Sequence, residues 1–170
     1  LNSAGTLSHI VSNGGQTDIT GGTTGAITND GGDVNVSGGN VASAENASGT
    51  MDVTGGQVDG TVTVDGGTVI NSGGSIVGET NVNGGTFETL ATTGAIVSNG
   101  GQTNITGGTT GAITNDGGDV NVSGGTVDGS LAVSNGTADI IGGASVTGNT
   151  VVNADGVVTV GDGKDAGTLG

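Results

Sequence analysis

The chain contains no cysteine, proline, tryptophan or tyrosine, and a single phenylalanine among its 170 residues. Without cysteine it has neither disulfides nor thiolate metal sites. Because Phe87 is the one aromatic residue, a bulky globular core is excluded, and stability must come from small aliphatic groups and backbone hydrogen bonds. No apolar run approaches the ~18 residues of a membrane-spanning helix, so we expect no transmembrane segment.

Positive charge is almost as scarce as aromatic side chains. Lys164 and His9 are the only basic side chains against 16 acidic residues, which gives a net charge of −15. Binding to nucleic acid requires clustered cations, and an anionic membrane surface attracts polybasic segments. We therefore expect neither a nucleic-acid partner nor binding to an anionic membrane.

Glycine is the residue that is present in excess, at 41 of 170 positions. A collagen-like chain would need glycine at every third position together with abundant proline, and this sequence has neither. Disorder is the usual alternative for such a composition. It would not keep valine, isoleucine and threonine in register with the glycines, as this chain does, so we expect an ordered repeat.

The sequence repeats itself on two scales. Residues 10–41 recur as residues 96–127 with 30 of 32 positions identical, at an offset of 86; Asp18 is replaced by Asn104 and Asn40 by Thr126. Within the long repeat, paired or near-paired glycines return every 16 to 18 residues, so five short units fill the offset. Such a chain builds one structural unit repeatedly, and each unit contacts only its neighbours.

Between the glycines, apolar and polar residues alternate with the period of two that is typical of strands. Aligning the units gives four mostly aliphatic columns, which we predict to face inward. They are Thr17, Val34, Met51, Val69, Phe87, Thr103, Val120 and Ala138; Ile19, Val36, Val53, Asn71, Thr89, Ile105, Val122 and Ile140; Ile10, Ile27, Ala44, Val62, Thr80, Ile96, Ile113 and Leu131; and Thr24, Val41, Val58, Ile76, then, after a gap, Thr110 and Val127.

Strands this short are stable only if each pairs in parallel with its equivalent one turn later, at ~4.8 Å. Glycine suits the corners because it adopts positive φ without penalty. The prediction is an all-β, right-handed parallel β-solenoid (β-helix) of about eight turns of 17–18 residues. Residues 1–170 form one domain, which we expect to be a fragment of a longer repeat protein.

The turn from residue 84 to residue 100 departs from the pattern. It is the shortest turn, lacks its middle glycine pair and contains Phe87 and Leu90. We interpret it as a one-residue deletion filled by larger side chains, and a bend in the rod is the alternative.

Two polar columns are predicted to face outward and are the candidate site. The outward column consists of Asp18, Asn35, Asp52, Ile70, Glu88, Asn104, Asn121 and Asp139. The hydroxyl column beside it consists of Thr20, Ser37, Thr54, Ser72, Thr106 and Ser123. Amides placed between carboxylates relieve the repulsion of stacked charges. Such a face could bind a second rod through many weak contacts, and a solvated sheet face without a partner is the alternative.

The sequence contains little evidence for a calcium-binding site or a catalytic site. Carboxylates occur in the corners at residues 29–33, 115–119 and 161–165, but turn chemistry alone explains them, and the GGxGxDxxx calcium repeat is absent. Asp30 with Asp33 is a corner that recurs as Asp116 with Asp119, whereas a glycosidase needs one carboxylate pair in a cleft. We expect no cofactor, with calcium the one exception left open, no catalytic or metal residues, and no enzyme activity.

The unit GGQTDITGGTTGAITNDGG at residues 14–32, echoed at residues 100–118, resembles the passenger repeats of self-associating autotransporter adhesins, the AIDA and antigen-43 group. VINSGGS (69–75) and IVSNGGQT (96–103) are especially similar to them. The resemblance implies a secreted β-helical rod on a Gram-negative surface that self-associates between cells through Asn, Asp and Thr side chains. On this chain the matching positions are those of the outward column.

These observations predict an extracellular structural or adhesive solenoid that mediates surface attachment or self-association, as in a biofilm. The alternative is a filament or surface-layer component that polymerises end to end, because an uncapped solenoid exposes strand edges at both ends. The expected partners are copies of the chain or neighbouring rods, a host surface or a polysaccharide. The expected location is extracellular, on a bacterial cell surface.

Overall fold

A computed structural model describes residues 1–161, 163–164 and 166–170. Within them the regular secondary structure is β-strand, and no helix is long and apolar enough to cross a bilayer. The strands are β1 (Asn2–Ser3), β2 (Thr6–Ser12), β3 (Gln16–Val53), β4 (Gln57–Val58), β5 (Val62–Val64), β6 (Thr68–Asn71), β7 (Ser75–Ile76), β8 (Thr80–Val82), β9 (Thr86–Thr89), β10 (Thr92–Thr93), β11 (Ile96–Ser98), β12 (Gln102–Ile105), β13 (Thr109–Thr110), β14 (Ile113–Asn115), β15 (Asp119–Val122), β16 (Thr126–Val127), β17 (Leu131–Ile140), β18 (Ser145–Val146), β19 (Thr150–Val160) and β20 (Thr168–Leu169).

The strands stack in three parallel ladders, so each turn of the chain has three sides. The first ladder joins the two-residue strands, from β4 through β7, β10, β13, β16 and β18 to β20. The second joins β5, β8, β11 and β14 to the first parts of β17 and β19. The third joins β6, β9, β12 and β15 to the last parts of β17 and β19. Earlier in the chain, β3 passes through all three ladders.

This arrangement is a parallel β-solenoid of about nine turns, and it confirms the predicted fold class. The solenoid has about one turn more than the expected eight, because it extends beyond the aligned glycine pairs at both ends. β1 lies before the first pair and pairs with β3, while β20 lies after the last pair and pairs with β18. The long repeat corresponds to five turns, since Ile96 stacks below Thr80, and Thr80 below Val62.

The four predicted inward columns are buried throughout. The gap in the fourth is filled by Thr93, which pairs with Ile76 and Thr110 and is 2% exposed. A fifth inward column, missed in the sequence, occupies the end of the second ladder. Its members are Ser12, Asn29, Asn46, Val64, Val82, Ser98, Asn115 and Val133, all buried.

The missed column begins the corner between the second and third ladders. Asn115 accepts a hydrogen bond from the amide of Gly118 (2.9 Å) and donates to the Gly118 and Thr137 carbonyls (2.9 and 2.7 Å). Asn29 donates to Asn46 Oδ1 of the next turn (2.7 Å). A buried asparagine is stable here because its amide satisfies corner backbone groups that face the interior.

Glycine is required where the corners of successive turns stack. Gly125 has φ of +75°, and a Cβ at this position would lie 2.5 Å from the Gly108 carbonyl oxygen. The left-handed backbone conformation and the lack of space for a Cβ therefore both require glycine at this position.

The turn from residue 84 to residue 100 keeps its register. Phe87 is fully buried and pairs with Val69 and Thr103. The missing residue lies at the corner between Thr89 and Thr93, where the two hydroxyl oxygens are 2.9 Å apart and buried. The turn therefore closes through a hydroxyl hydrogen bond in place of a glycine pair, and Phe87 fills the core beside it.

Candidate functional site

The outward side of the third ladder, which we call the third face, carries the predicted outward column. Pairing places Asp52, Ile70, Glu88, Asn104, Asn121 and Asp139 on successive turns. Asp18 pairs with Asn2, and Asp139 pairs with Thr159, so both residues extend the column. All eight predicted members are partly exposed. The alternation that buries the residues on either side leaves these side chains at the surface, as predicted.

The hydroxyl column lies beside it and is hydrogen-bonded to it. Thr54 donates to Asn35 Oδ1 (3.1 Å) and Ser72 donates to Asp52 Oδ1 (3.1 Å), each reaching back one turn. Thr20 makes the same diagonal bond to Asn2 Oδ1 (3.4 Å). These bonds hold the two columns in one flat array.

Other members of the hydroxyl column bond to the backbone. Ser37 donates to the Ile19 carbonyl (3.3 Å), and Thr106 donates to the Thr89 carbonyl (3.5 Å). Ser123 is partly exposed at the equivalent place, whereas Leu90 replaces the hydroxyl in its turn. From Thr20 to Ser123 the hydroxyl column is therefore continuous except at Leu90.

Sequence analysis missed a third column on this face, two residues before the outward column. We call it the flanking column: Gln16, Asp33, Thr50, Thr68, Thr86, Gln102, Asp119 and Thr137. Within it, Thr137 donates to Asp119 Oδ1 (2.7 Å). The alternation of period two predicts its exposure, although the sequence analysis treated Asp33 and Asp119 as corner residues.

The third face is acidic. The three columns carry Asp18, Asp33, Asp52, Glu88, Asp119 and Asp139, and no lysine or arginine occurs among their positions. Carboxylates never occupy adjacent positions of the outward column from Asp18 to Asp139. The face therefore offers many hydrogen-bond acceptors at the ~4.8 Å strand spacing without placing stacked charges in contact.

An apolar patch interrupts the middle of this polar face. Ile70 is the single apolar residue among the predicted members of the outward column, and Leu90 takes the hydroxyl position one turn later. Leu90 is 46% exposed and Ile70 is partly exposed. The two lie diagonally across neighbouring strands, at the ~7–8 Å separation at which long side chains still interact.

The other faces carry shorter polar ladders. Asn83 donates to Asp65 (2.7 Å), and Asn99 donates to Asn83 (2.8 Å), along the corner after the second ladder. On the first ladder, hydrogen bonds from Gln57 and Asn40 lower the pKa of Asp59 below its ordinary value. These carboxylates have local partners and do not form a continuous strip.

Calcium and catalytic candidates remain dispersed. Across residues 1–161, 163–164 and 166–170, no group of three or more His, Asp or Glu side chains is arranged to hold a metal ion. Asp162 and Asp165 of the predicted carboxyl-terminal corner lie outside the described residues. His9 is exposed, and Lys164 lines a surface cleft of about 370 Å³ at the carboxyl-terminal end.

No protein-family model matches the chain, and no curated protein or solved structure is significantly similar to it.

Proposed function

We propose that this chain is an extracellular adhesive rod that associates side by side with copies of itself through the third face. The observation that carries the proposal is the array of carboxylate, amide and hydroxyl groups along about nine turns, which an apolar patch interrupts at Ile70 and Leu90. Each turn repeats the same small set of donors and acceptors, so contacts accumulate with length. The resemblance to adhesin passenger repeats is the reason for proposing a bacterial surface, cell adhesion and biofilm formation.

The size of the face sets the expected strength. A strand of four residues spans ~13 Å and nine turns span ~43 Å, so two apposed faces bury about 1,100 Å² in total. Stable protein interfaces bury roughly 1,200–2,000 Å². A single pair of rods therefore associates weakly, and adhesion depends on many rods acting together on two surfaces.

Charge opposes this association, because each rod carries −15. The Debye length falls from about 30 Å at 0.01 M salt to about 8 Å at 0.15 M salt. The proposed pairing is therefore disfavoured at low ionic strength and permitted at physiological ionic strength.

Replacing Asp18, Asp52 and Asp139 with lysine should abolish clumping of beads that display the chain. The long lysine side chains disrupt the flat face, and the acceptors on which partner amides and hydroxyls depend are lost. Bead aggregation at 0.15 M salt measures the effect. The matched control replaces Glu45, Glu79 and Asp128 with lysine. These are exposed acids of other faces and corners, so this variant has the same net charge and should still clump. Equal clumping by both triple variants would rule out the third face.

The carboxyl-terminal end favours a second candidate, end-to-end stacking into a filament. Val152 and Val160 continue inward columns by pairing with Val133 and Ile140, yet they are 49% and 43% exposed, whereas their partners are fully buried. An additional turn would cover them and pair the open strand edge. If that turn is the amino-terminal turn of another copy, the repeated contact builds an open filament.

For the filament, Val160→Lys should eliminate long fibres in electron micrographs, because it places a charge between stacked turns. Val157→Lys is the control, since Val157 is 55% exposed but pairs with the outward residue Thr137. If neither the unmodified chain nor the Val157 variant forms fibres, end-to-end stacking is not a function of this chain.

A further inference from the structure

We infer that Asn135 is a site of spontaneous modification, at which the side-chain amide is converted to a carboxylate through a cyclic imide formed with Gly136. The inference is independent of the proposed adhesive function. Asparagine is followed by glycine at four places in the chain, at Asn13, Asn83, Asn99 and Asn135. Local sequence gives all four the same chemistry, but the structure restrains Asn83 and Asn99 and leaves Asn135 free to react.

The reaction joins two groups that are adjacent in the chain. The backbone nitrogen of Gly136 attacks Cγ of Asn135, an N–C bond forms, and the bond between Cγ and the side-chain nitrogen breaks. The proton of the Gly136 amide leaves with that nitrogen as ammonia. Solvent water then opens the imide at either carbonyl and gives aspartate or isoaspartate, so no oxidant or reductant takes part. Glycine favours ring closure because it has no Cβ and restricts the backbone least.

Asn135 occupies a corner position that glycine holds in the preceding turn. Its corner, residues 134–136, stacks on residues 116–118, so Asn135 corresponds to Gly117. Asn135 is exposed, and the glycine that follows it has φ of +85°. The asparagine therefore sits in the part of the corner where the chain is most exposed and least restricted by side chains.

The amide of Gly136 is directed at the side chain that it attacks. In the preceding turn the equivalent amide, that of Gly118, donates to Asn115 Oδ1 inside the corner (2.9 Å). Val133 takes the place of this asparagine and offers no side-chain acceptor. The Gly136 amide donates to Asn135 Oδ1 (2.9 Å). The attacking nitrogen is thus held against the group that it attacks, which raises the rate of an intramolecular reaction.

The following turn does not match this corner in length. Val133 pairs with Val152 and Asn135 pairs with Asp155, so the following turn contains one residue more and the register shifts. Such an irregularity interrupts the regular ladder of hydrogen bonds. The backbone at Asn135 can therefore rotate and close the ring without opening a continuous ladder.

Asn99 has the same following residue but is restrained at both reacting groups. The amide of Gly100, which is the attacking nitrogen there, donates to the Val82 carbonyl of the preceding turn (3.2 Å). The side-chain nitrogen of Asn99, which is the leaving group, donates to Asn83 Oδ1 (2.8 Å). Both bonds must break before the ring closes, so the rate follows the population of a locally open corner.

Asn83 is restrained in the same way. The amide of Gly84 donates to the Val64 carbonyl (3.1 Å), and the side-chain nitrogen of Asn83 donates to Asp65 Oδ1 (2.7 Å). By contrast, the side-chain nitrogen of Asn135 donates to no group in the part of the chain that the structure describes. Protection therefore depends on stacking between turns, because the sequence Asn-Gly is common to all of these sites.

The chain contains an internal comparison for Asn99, because IVSNGGQT occurs at residues 10–17 and again at residues 96–103. Asn13 therefore has the same sequence neighbours as Asn99. It is exposed, and the carbonyl that restrains Gly100 has no counterpart one turn earlier among the described residues. Any difference in reactivity between Asn13 and Asn99 isolates the contribution of stacking.

The first experiment measures all four sites in the folded chain at neutral pH. Digestion with pepsin and mass spectrometry identify each converted asparagine by the mass gain of an amide that becomes a carboxylate. Asn135 should convert about tenfold faster than Asn83 and Asn99, because two hydrogen bonds restrain each of the latter. Asn13 should follow Asn135. In concentrated urea the four rates should become similar.

The second experiment supplies the missing acceptor. Val133→Asn should slow conversion of Asn135 about threefold, because the new side chain accepts from the Gly136 amide as Asn115 does in its own corner. Val64→Asn is the matched control, since it makes the same change in the same inward column and should leave the rate at Asn135 unchanged. Asn135→Gln keeps an amide but lengthens the side chain, and it should abolish the mass gain at this position alone.

The outcomes decide the inference. Faster conversion at Asn135 than at Asn99 in the folded chain, with similar rates in urea, supports it. Equal rates at the two sites in the folded chain, or conversion of Asn135 in urea only, would overturn it. A folded Val133→Asn variant that converts Asn135 at the unmodified rate would show that the direction of the Gly136 amide does not control the reaction, and the geometric argument would fail.

Discussion

Gly125→Ala is expected to destabilise the solenoid far more than Gly143→Ala, although the two glycines have almost the same backbone conformation. Their φ angles are +75° and +76°. An added Cβ at Gly125 would lie 2.5 Å from the Gly108 carbonyl oxygen and 2.7 Å from the Gly107 carbonyl carbon, whereas at Gly143 nothing lies within 4 Å. The left-handed conformation costs about 1–2 kcal/mol for either alanine, and overpacking against the preceding turn adds roughly 1–3 kcal/mol at Gly125 alone.

The measurement is urea-induced unfolding followed by circular dichroism. Gly143→Ala should lower the free energy of unfolding by about 1–2 kcal/mol, and Gly125→Ala by about 2–5 kcal/mol. Equal losses would show that φ alone selects glycine and that the corners of successive turns are not in contact. Because a solenoid can unfold turn by turn, the transition should also broaden at Gly125→Ala if the stack divides there.

Phe87→Ala should cost about 3–5 kcal/mol of unfolding free energy. Phe87 is the largest of the fully buried side chains, and it lies between the smaller Val69 and Thr103 in its column. Alanine would leave a cavity in the middle of the rod that neighbouring turns, fixed by their own ladder hydrogen bonds, do not fill.

Val77→Ala is the control for Phe87→Ala, because Val77 belongs to a neighbouring turn and is 56% exposed. Its effect on the unfolding free energy should stay within about 0.5 kcal/mol. If Phe87→Ala were equally mild, the short turn would be tolerant of a smaller side chain, and its closure would rest on the Thr89–Thr93 hydroxyl contact alone.

Part of the candidate site could be predicted from the sequence. The predictable part depends on patterns within a single strand, and the rest depends on contacts between turns. The outward column follows from alternation within a strand, so Asp18 or Asn121 could be placed on the surface from the sequence. Its hydrogen bonds to the hydroxyl column could not, because Ser72 donates to a residue 20 positions earlier. The patch of Ile70 and Leu90 also needs the stacking register, since these residues belong to different turns.

The fifth inward column shows the limit most clearly. Asn29 and Asn115 precede glycine pairs and Asn46 precedes Ser48–Gly49, which indicates an exposed corner by local rules. The structure buries them, because each asparagine satisfies backbone groups of its own corner and of the next turn. A prediction from hydrophobicity alone places these asparagines at the surface, because burying a side-chain amide is favourable only when its hydrogen-bond partners are present.

The sequence by itself determined the repeat length, the strand periodicity and the acidic, cation-poor surface, because these depend on residues close together in the chain. Tertiary structure alone decided which polar residues turn inward, how the short turn closes and which side chains meet across the third face. The inward polar residues and the third face depend on contacts between residues 16 to 23 positions apart, which the exact pairing of successive turns fixes. The short turn closes through Thr89 and Thr93, four positions apart, because stacking on its neighbours brings both side chains inward.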